Sequence, residues 1–127
     1  MKDYTKIVLL TVFIISLVFM YKSILSYLEI PPNRDPLIHN FFDNNMDLNG
    51  WSVTHFIVFA IAGYYGHKHI ICLLFVGIMW EITEVYLYFM NKNLTDNHPD
   101  WWYGSYSDII VDFLGLMTGK YIIRKYI

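Results

Sequence analysis

The chain has little cysteine and little charge. Cys72 is the only cysteine among its 127 residues, which excludes a disulfide within the chain and a zinc site built from cysteines alone. Charged residues make up 16% of the sequence, below the roughly 25% of a soluble protein. The net charge of -2 gives no reason to expect a nucleic-acid partner. With 56% hydrophobic residues, 19% aromatic residues and a mean hydropathy of +0.37, residues 1–127 are expected to form one integral membrane domain.

Four apolar segments predict an all-α membrane protein with four transmembrane helices in a small bundle. The predicted spans cover about residues 7–30, 51–65, 70–90 and 106–123. A turn-rich loop precedes the second span, with a short interfacial helix expected over residues 37–42. The first segment suits a span of roughly 20 residues. A signal peptide is the alternative, but no small-residue cleavage motif follows the apolar run.

Lysine and arginine predict the orientation of these spans. With the N-terminus inside, the inner side holds Lys2, Lys6, Lys68, Lys120, Arg124 and Lys125, and the outer side holds Lys22, Arg34 and Lys92. Cytoplasmic segments carry the excess of such residues, so both termini are predicted to be cytoplasmic. Lys22 is expected to extend from its span towards the headgroups. The identity of the membrane and the oligomeric state, including a homo-oligomer, stay open.

Five ionisable residues lie inside the predicted spans at similar depths. At 1.5 Å per residue, His55 lies about 7 Å below the outer start of the second span. By the same rise, Glu84 and Glu81 lie roughly 9 and 14 Å below the outer end of the third span. Asp108 and Asp112 lie roughly 5 and 11 Å below the outer start of the fourth. Three helices are therefore expected to bring all five groups into one layer of the outer leaflet.

Such a cluster of carboxylates in a low-dielectric layer calls for either protons or a cation. An oxygen-rich set formed by Glu81, Glu84, Asp108 and Asp112 suits Ca²⁺, with Mg²⁺ as the alternative. His55 is placed to act as a general base or to support the metal ligands. The alternatives are protonated acids that serve only packing, and for Asp108 a role as a helix N-cap.

The order of these residues resembles the core of the eukaryotic base-exchange phosphatidylserine synthases. The matching residues are Gly50-Trp51 with His55, Trp80-Glu81-x-Thr83-Glu84, Trp101-Trp102, Asp108, Gly115 and Gly119. The resemblance covers residues 50–119, and its Trp-Glu-x-Thr-Glu motif followed by Trp-Trp is the most specific part. The family has an Asp where this chain has Tyr103, and it has many more spans.

The resemblance implies a membrane enzyme that exchanges a phospholipid headgroup for serine or another small hydroxyl compound, with Ca²⁺ and without nucleotide. Carried over, Glu81, Glu84 and Asp108 would hold Ca²⁺ and would be catalytic together with His55 as the base. The implied partners are a membrane phospholipid and the small hydroxyl compound.

A second pattern is similar to the VanZ-like membrane proteins. It consists of His55-Phe56, Glu81, Asp108, Asp112, Gly115 and Gly119. Asp112 replaces the usual Asn of that pattern, and Glu84 stands where Gln is common. This resemblance implies a non-enzymatic protein that binds a lipid or a lipid-linked group. A purely structural membrane protein is the third hypothesis.

Overall fold

The computed structural model describes residues 3–31, 34–42, 48–94 and 104–127. Regular structure in these ranges is entirely helical, which confirms the all-α prediction. The helices are α1 (Asp3–Tyr27), α2 (Gly50–Tyr65), α3 (Ile70–Leu94) and α4 (Tyr106–Thr118), the last continuing through a π-helical segment (Gly119–Ile123) into α5 (Arg124–Tyr126). The interfacial helix expected over residues 37–42 does not form, since that part of the loop consists of turns and bends.

Two of the helices are long and apolar enough to cross a membrane. They cover Tyr4–Tyr27 and Ile70–Met90, and they indicate a membrane location. α2 has 16 residues and is therefore about 24 Å long, which is shorter than the usual hydrocarbon thickness. The all-helical fold is thus established, whereas four complete spans stay a prediction.

The first helix ends three residues before the predicted boundary at residue 30. Glu29 adopts a left-handed conformation with φ of 55°, and the N–H groups of Glu29 and Ile30 donate to the carbonyls of Ser26 and Leu25. This is the paired arrangement of a Schellman motif. It satisfies the last carbonyls of α1 and turns the chain into the following loop.

A capping box begins α2. The side-chain oxygen of Asn49 accepts from the N–H of Trp51 at 3.0 Å and of Ser52 at 3.3 Å. The Ser52 hydroxyl accepts in turn from the Asn49 N–H at 3.4 Å. These reciprocal bonds satisfy the first donors of the helix and set the position from which His55, one turn later, projects.

Consecutive helices run antiparallel, so α2 and α4 are parallel to each other. The bond from Ser52 to Asp108 joins their starts, and Gly63 meets Leu116 further along. A side chain at Gly115 would lie 2.6 Å from the Phe56 carbonyl oxygen, and one at Gly119 would collide with Ala60. Small residues therefore let the two backbones approach closely, as the Gly115–Gly119 spacing predicts.

The interior of the bundle is unusually polar. Among the described residues, the buried apolar side chains are Leu25, Ala60, Leu73 and Leu116. The buried polar ones are more numerous: Asp35, Asn49, Ser52, Glu81, Glu84, Ser105, Ser107, Asp108 and Asp112. Large apolar side chains such as Phe13, Phe75 and Phe89 face outwards instead. An apolar exterior around a polar interior suits a lipid environment, where water does not drive apolar side chains together.

Candidate functional site

Three helices bring His55, Glu81 and Asp112 into one cluster. The His55 Nδ1 atom lies 2.8 Å from the Asp112 Oδ1 atom. The opposite ring nitrogen, Nε2, lies 3.9 Å from the Glu81 Oε1 atom. One potential ligand atom from each of the three residues lies within 4.8 Å of the others. The cluster therefore combines a histidine that is hydrogen-bonded on one side with a carboxylate on its other side.

Close packing fixes the Asp112–His55 pair. Asp112 is completely buried, and a side chain at Gly77 would lie 2.6 Å from its Oδ2 atom and 3.0 Å from the ring of Phe59. The absence of a side chain at Gly77 thus makes room for the carboxylate. Because a carboxylate only accepts, an ionised Asp112 would accept the proton of His55 Nδ1 in this bond at 2.8 Å. The other ring nitrogen, Nε2, faces Glu81.

Glu81 is held by the start of α4. Its Oε2 atom accepts from the N–H of Ser105 at 2.7 Å, next to the positive end of the helix dipole. Gly104 permits this approach, because a side chain there would lie 2.7 Å from the Glu81 carbonyl oxygen. The bond fixes one oxygen of the carboxylate and leaves the other directed at His55.

The cluster contains two buried oxygen atoms that have no hydrogen-bond donor among the described residues. These are Glu81 Oε1 and Asp112 Oδ2. An isolated acceptor in a low-dielectric interior is costly, and a buried carboxylate oxygen more so. Carboxylate oxygens and an imidazole nitrogen within 4.8 Å of one another are ligand types that a divalent cation binds.

Glu84 has a different partner. Its Oε1 atom lies 3.8 Å from the Lys22 Nζ atom of α1, and both side chains are only 11% exposed. The same ammonium lies 5.3 Å from the centroid of the Trp51 ring, within the range of a cation–π contact. Lys22 therefore turns into the bundle, contrary to the expectation that it extends to the headgroups. The ammonium group of Lys22 on α1 thus pairs with the carboxylate of Glu84 on α3.

Asp108 also lies beside the cluster rather than within it. Its Oδ1 atom accepts from the Ser52 hydroxyl at 3.0 Å. Ser105, not Asp108, is the N-cap residue of α4, and Asp108 belongs to the first turn. The N-cap alternative for Asp108 is therefore wrong. The carboxylate instead joins the starts of α2 and α4.

Asp35 anchors the loop above the site. It is 2% exposed, and it accepts from the Tyr21 hydroxyl at 2.7 Å, the Trp51 indole N–H at 3.0 Å and the Leu37 N–H at 2.9 Å. This single carboxylate thus connects α1, the loop and the start of α2. Trp51, held in this way, lies against Lys22 at the end of the bundle where α1 ends and α2 begins.

An apolar cavity of about 470 Å³ leads away from this site. It lies between α1, α2 and α3 and extends from Lys6 and Tyr65 at one end to Trp51 and Glu84 at the other. His55 lines it at the polar end. The candidate site therefore opens onto a channel whose walls are mostly hydrocarbon.

The structure thus brings together three of the five predicted residues. His55, Glu81 and Asp112 form the cluster, whereas Glu84 pairs with Lys22 and Asp108 pairs with Ser52. Sequence reasoning missed Lys22, although a lysine within an apolar run is itself a sign of a buried partner. The predicted Trp101–Trp102 pair lies outside the described residues.

Comparisons with models of known families, with curated proteins and with solved structures found no match. The site is therefore interpreted from its own geometry.

Proposed function

We propose that this protein is a membrane-embedded enzyme that exchanges the headgroup of a phospholipid for a small hydroxyl compound such as serine. The single observation that carries the proposal is the Asp112–His55 pair, bonded at 2.8 Å, at the polar end of an apolar channel. A buried acid that orients a histidine, where that histidine also lines the substrate space, is an arrangement used in general-base catalysis.

The residues of the chain supply the proton transfers of this reaction. Asp112 orients the imidazole, and His55 Nε2 takes the proton from the incoming hydroxyl. That oxygen forms a new bond to phosphorus while the bond to the departing headgroup breaks. His55 then returns the proton to the departing alkoxide, so the exchange needs no oxidant, nucleotide or net water.

A divalent cation fits the same site. Glu81 Oε1 and Asp112 Oδ2, the two buried oxygens lacking a donor among the described residues, are the atoms that would hold it, and we propose Ca²⁺. Such an ion polarises a phosphoryl oxygen when bound. Glu84 and Asp108 support the site from outside, one through Lys22 and the other through Ser52.

The proposed topology has four spans with both termini in the cytoplasm. It rests on the antiparallel order of consecutive helices, on two helices of spanning length, and on the excess of lysine and arginine on one side. α4, its π-helical segment and α5 together cover residues 106–126, which gives about 31 Å of helix. A tag inserted near residue 97 is expected outside, and tags at both termini inside.

The proposed activity is tested with the full chain in vesicles of phosphatidylcholine or phosphatidylethanolamine, supplied with labelled serine and Ca²⁺. We expect labelled phosphatidylserine from the native protein and at least about a hundredfold less from His55→Ala, the usual size of a general-base contribution. His39→Ala is the matched control, because His39 is an exposed loop histidine. Equal activity of His55→Ala and the native protein would exclude the catalytic role.

A second candidate function is lipid binding without turnover. The observation that favours it is the neutralisation of Glu84 by Lys22, which leaves fewer charges free for a reaction. A rise in melting temperature on adding Ca²⁺ and phospholipid, with no labelled product, would support this function. No turnover and no effect of Ca²⁺ would leave the carboxylates as packing residues.

A further inference from the structure

The cavity between α1, α2 and α3 is long and narrow. Its lining on α1 runs from Lys6 to Val18, which corresponds to about 18 Å along the helix axis. The volume of about 470 Å³, which is the space open to the centres of water molecules, divided by this length gives a mean width of about 6 Å. Adding the radius of a water molecule on each side gives about 8–9 Å between the walls. An α-helix with side chains is about 10–12 Å wide, so a helix of another chain does not fit.

The walls also exclude an extended peptide. Thr11 and Thr54 line the cavity, but their hydroxyls donate to the carbonyls of Ile7 and Gly50 one turn earlier in their own helices. The rest of the lining between the two ends consists of apolar side chains and Trp80. A peptide would bury its N–H and C=O groups there without adequate partners, whereas a hydrocarbon chain has no such groups.

Several residues that line the cavity are also exposed at the surface of the bundle. They include Leu9 and Phe13 of α1, at 55% and 59%, and Val76 of α3, at 41%. In a bilayer this surface faces lipid, so a chain can enter laterally without crossing the headgroup layer. The length of about 18 Å also matches the roughly 15 Å of hydrocarbon in one leaflet.

We propose that this cavity is a binding site for one acyl chain of a membrane phospholipid, whose phosphate then lies at the His55 end. The inference deepens the proposed function, because it names the part of the substrate that positions the headgroup against the site. The second acyl chain stays in the bilayer beside α1.

The test measures binding, which needs neither Ca²⁺ nor serine. The full chain in detergent is titrated with two single-chain phosphocholine lipids, one palmitoyl and one octanoyl, and bound lipid is counted by native mass spectrometry. Ala62 lines the cavity seven residues beyond His55, about 10 Å along α2. We expect Ala62→Phe to reduce the preference for palmitoyl over octanoyl at least about tenfold, because the distal half of the chain loses its site.

Ile61→Phe is the matched control. Ile61 is the neighbouring residue, is 40% exposed and is not part of the cavity lining, so its variant should keep the native preference. Partition of the two lipids into detergent is common to all the proteins and cancels in the comparison. If Ala62→Phe does not fold, Ala62→Leu is expected to give a smaller shift in the same direction.

A substitution closer to His55 is expected to affect both lipids, which would further support the acyl-chain site. Val58 lines the cavity three residues beyond His55, about 4–5 Å along the helix, and Val58→Phe should weaken binding of both lipids. Equal chain preference in the native protein, Ala62→Phe and Ile61→Phe would overturn the acyl-chain site and show lipid on the outer surface only. That result would leave the proposed headgroup exchange standing, because exchange is measured separately with labelled serine. Conversely, a native protein that selects the longer chain but forms no labelled product would reject the proposed activity and keep the acyl-chain site.

Discussion

The two sides of α2 are packed in opposite ways. On one side, α4 approaches so closely that a side chain at Gly115 would lie 2.6 Å from the Phe56 carbonyl oxygen. On the other side, α1 meets its neighbours mainly near its two ends, where Tyr4 lies 4.4 Å from His69 and Tyr21 lies 5.5 Å from Trp51 between ring centroids. Between those ends lies the long cavity.

This difference assigns separate tasks to the two sides. The Asp112–His55 bond crosses the close α2–α4 interface, so its geometry is fixed by backbone packing. Under the proposed function, the catalytic pair needs such a rigid support. The α1 side instead leaves the long cavity, which the proposed lipid would occupy. In that case the chain separates the positioning of reactive groups from access to them.

The largest effect is expected from breaking the close interface. Gly119→Ala adds one methyl group, which would collide with the Ala60 carbonyl and lie 2.7 Å from the Tyr64 nitrogen. Because backbone atoms cannot rotate away, we expect a loss of about 3 kcal/mol or more. The measurement is thermal unfolding in detergent. Val12→Leu adds bulk to an α1 residue that is 56% exposed and should change little; equal losses in both variants would remove the contrast between the two sides.

The second largest effect is expected for Ca²⁺-dependent stability in variants of the two glutamates of α3. One glutamate faces the α2–α4 interface, and the other faces α1. Glu81 faces His55, and Glu84 faces Lys22 of α1. If Ca²⁺ binds the cluster, a concentration a hundredfold above its dissociation constant stabilises the native protein by about 2.7 kcal/mol. Glu81→Gln should lose most of that gain, and Glu84→Gln should keep most of it.

The two variants are matched, since both replace one carboxylate oxygen by an NH₂ group on the same helix. A difference between them therefore reports the position of the glutamate and not the kind of substitution. The measurement is the Ca²⁺-dependent change in melting temperature. Equal loss in both variants would favour the four-carboxylate site expected from the sequence. A rise in melting temperature for both, with and without Ca²⁺, would exclude a cation site.

The depth of each residue along its helix could be predicted from the sequence. The direction in which its side chain points around the helix axis, relative to the neighbouring helices, could not. The rise per residue brought His55, Glu81 and Asp112 to one layer, and the structure places them together. Glu84 is only three residues from Glu81, yet that separation turns it far enough to meet Lys22. A periodic pattern gives each helix a polar face but does not give the angle at which the faces meet.

The contacts that sequence reasoning missed join residues distant in the chain. The Ser105 N–H that holds Glu81 lies 24 residues away from it, and the Ser52 hydroxyl that meets Asp108 lies 56 residues away. Neither contact belongs to a recognisable motif. Even the capping box at Asn49 and Ser52 differs from the usual Ser/Thr and Glu/Gln form, so it gave only a weak signal.

A third prediction tests how α1 is attached. Asp35→Ala removes the acceptor shared by Tyr21, Trp51 and the Leu37 N–H. Leaving these donors without their partner should cost about 2 kcal/mol and should raise the exposure of Trp51, measured by thermal unfolding and by fluorescence quenching. Arg34→Ala, at the neighbouring exposed residue, should do neither. Unchanged quenching in Asp35→Ala would show that α1 is held by other contacts.

The smallest effect is expected at the end of α1, where the chain leaves the loosely packed side. Glu29 is exposed and has a φ of 55°, a conformation that costs a residue with a Cβ atom about 1–2 kcal/mol relative to ordinary helical geometry. Glycine adopts it without that cost but loses more entropy on folding, so Glu29→Gly should stabilise the protein by about 0.5–1 kcal/mol. Glu29→Ala removes the same carboxylate and keeps the Cβ atom, which separates backbone conformation from charge. Thermal unfolding of the two variants side by side provides the measurement, and a glycine variant no more stable than the alanine variant would show that the left-handed turn at Glu29 carries no strain.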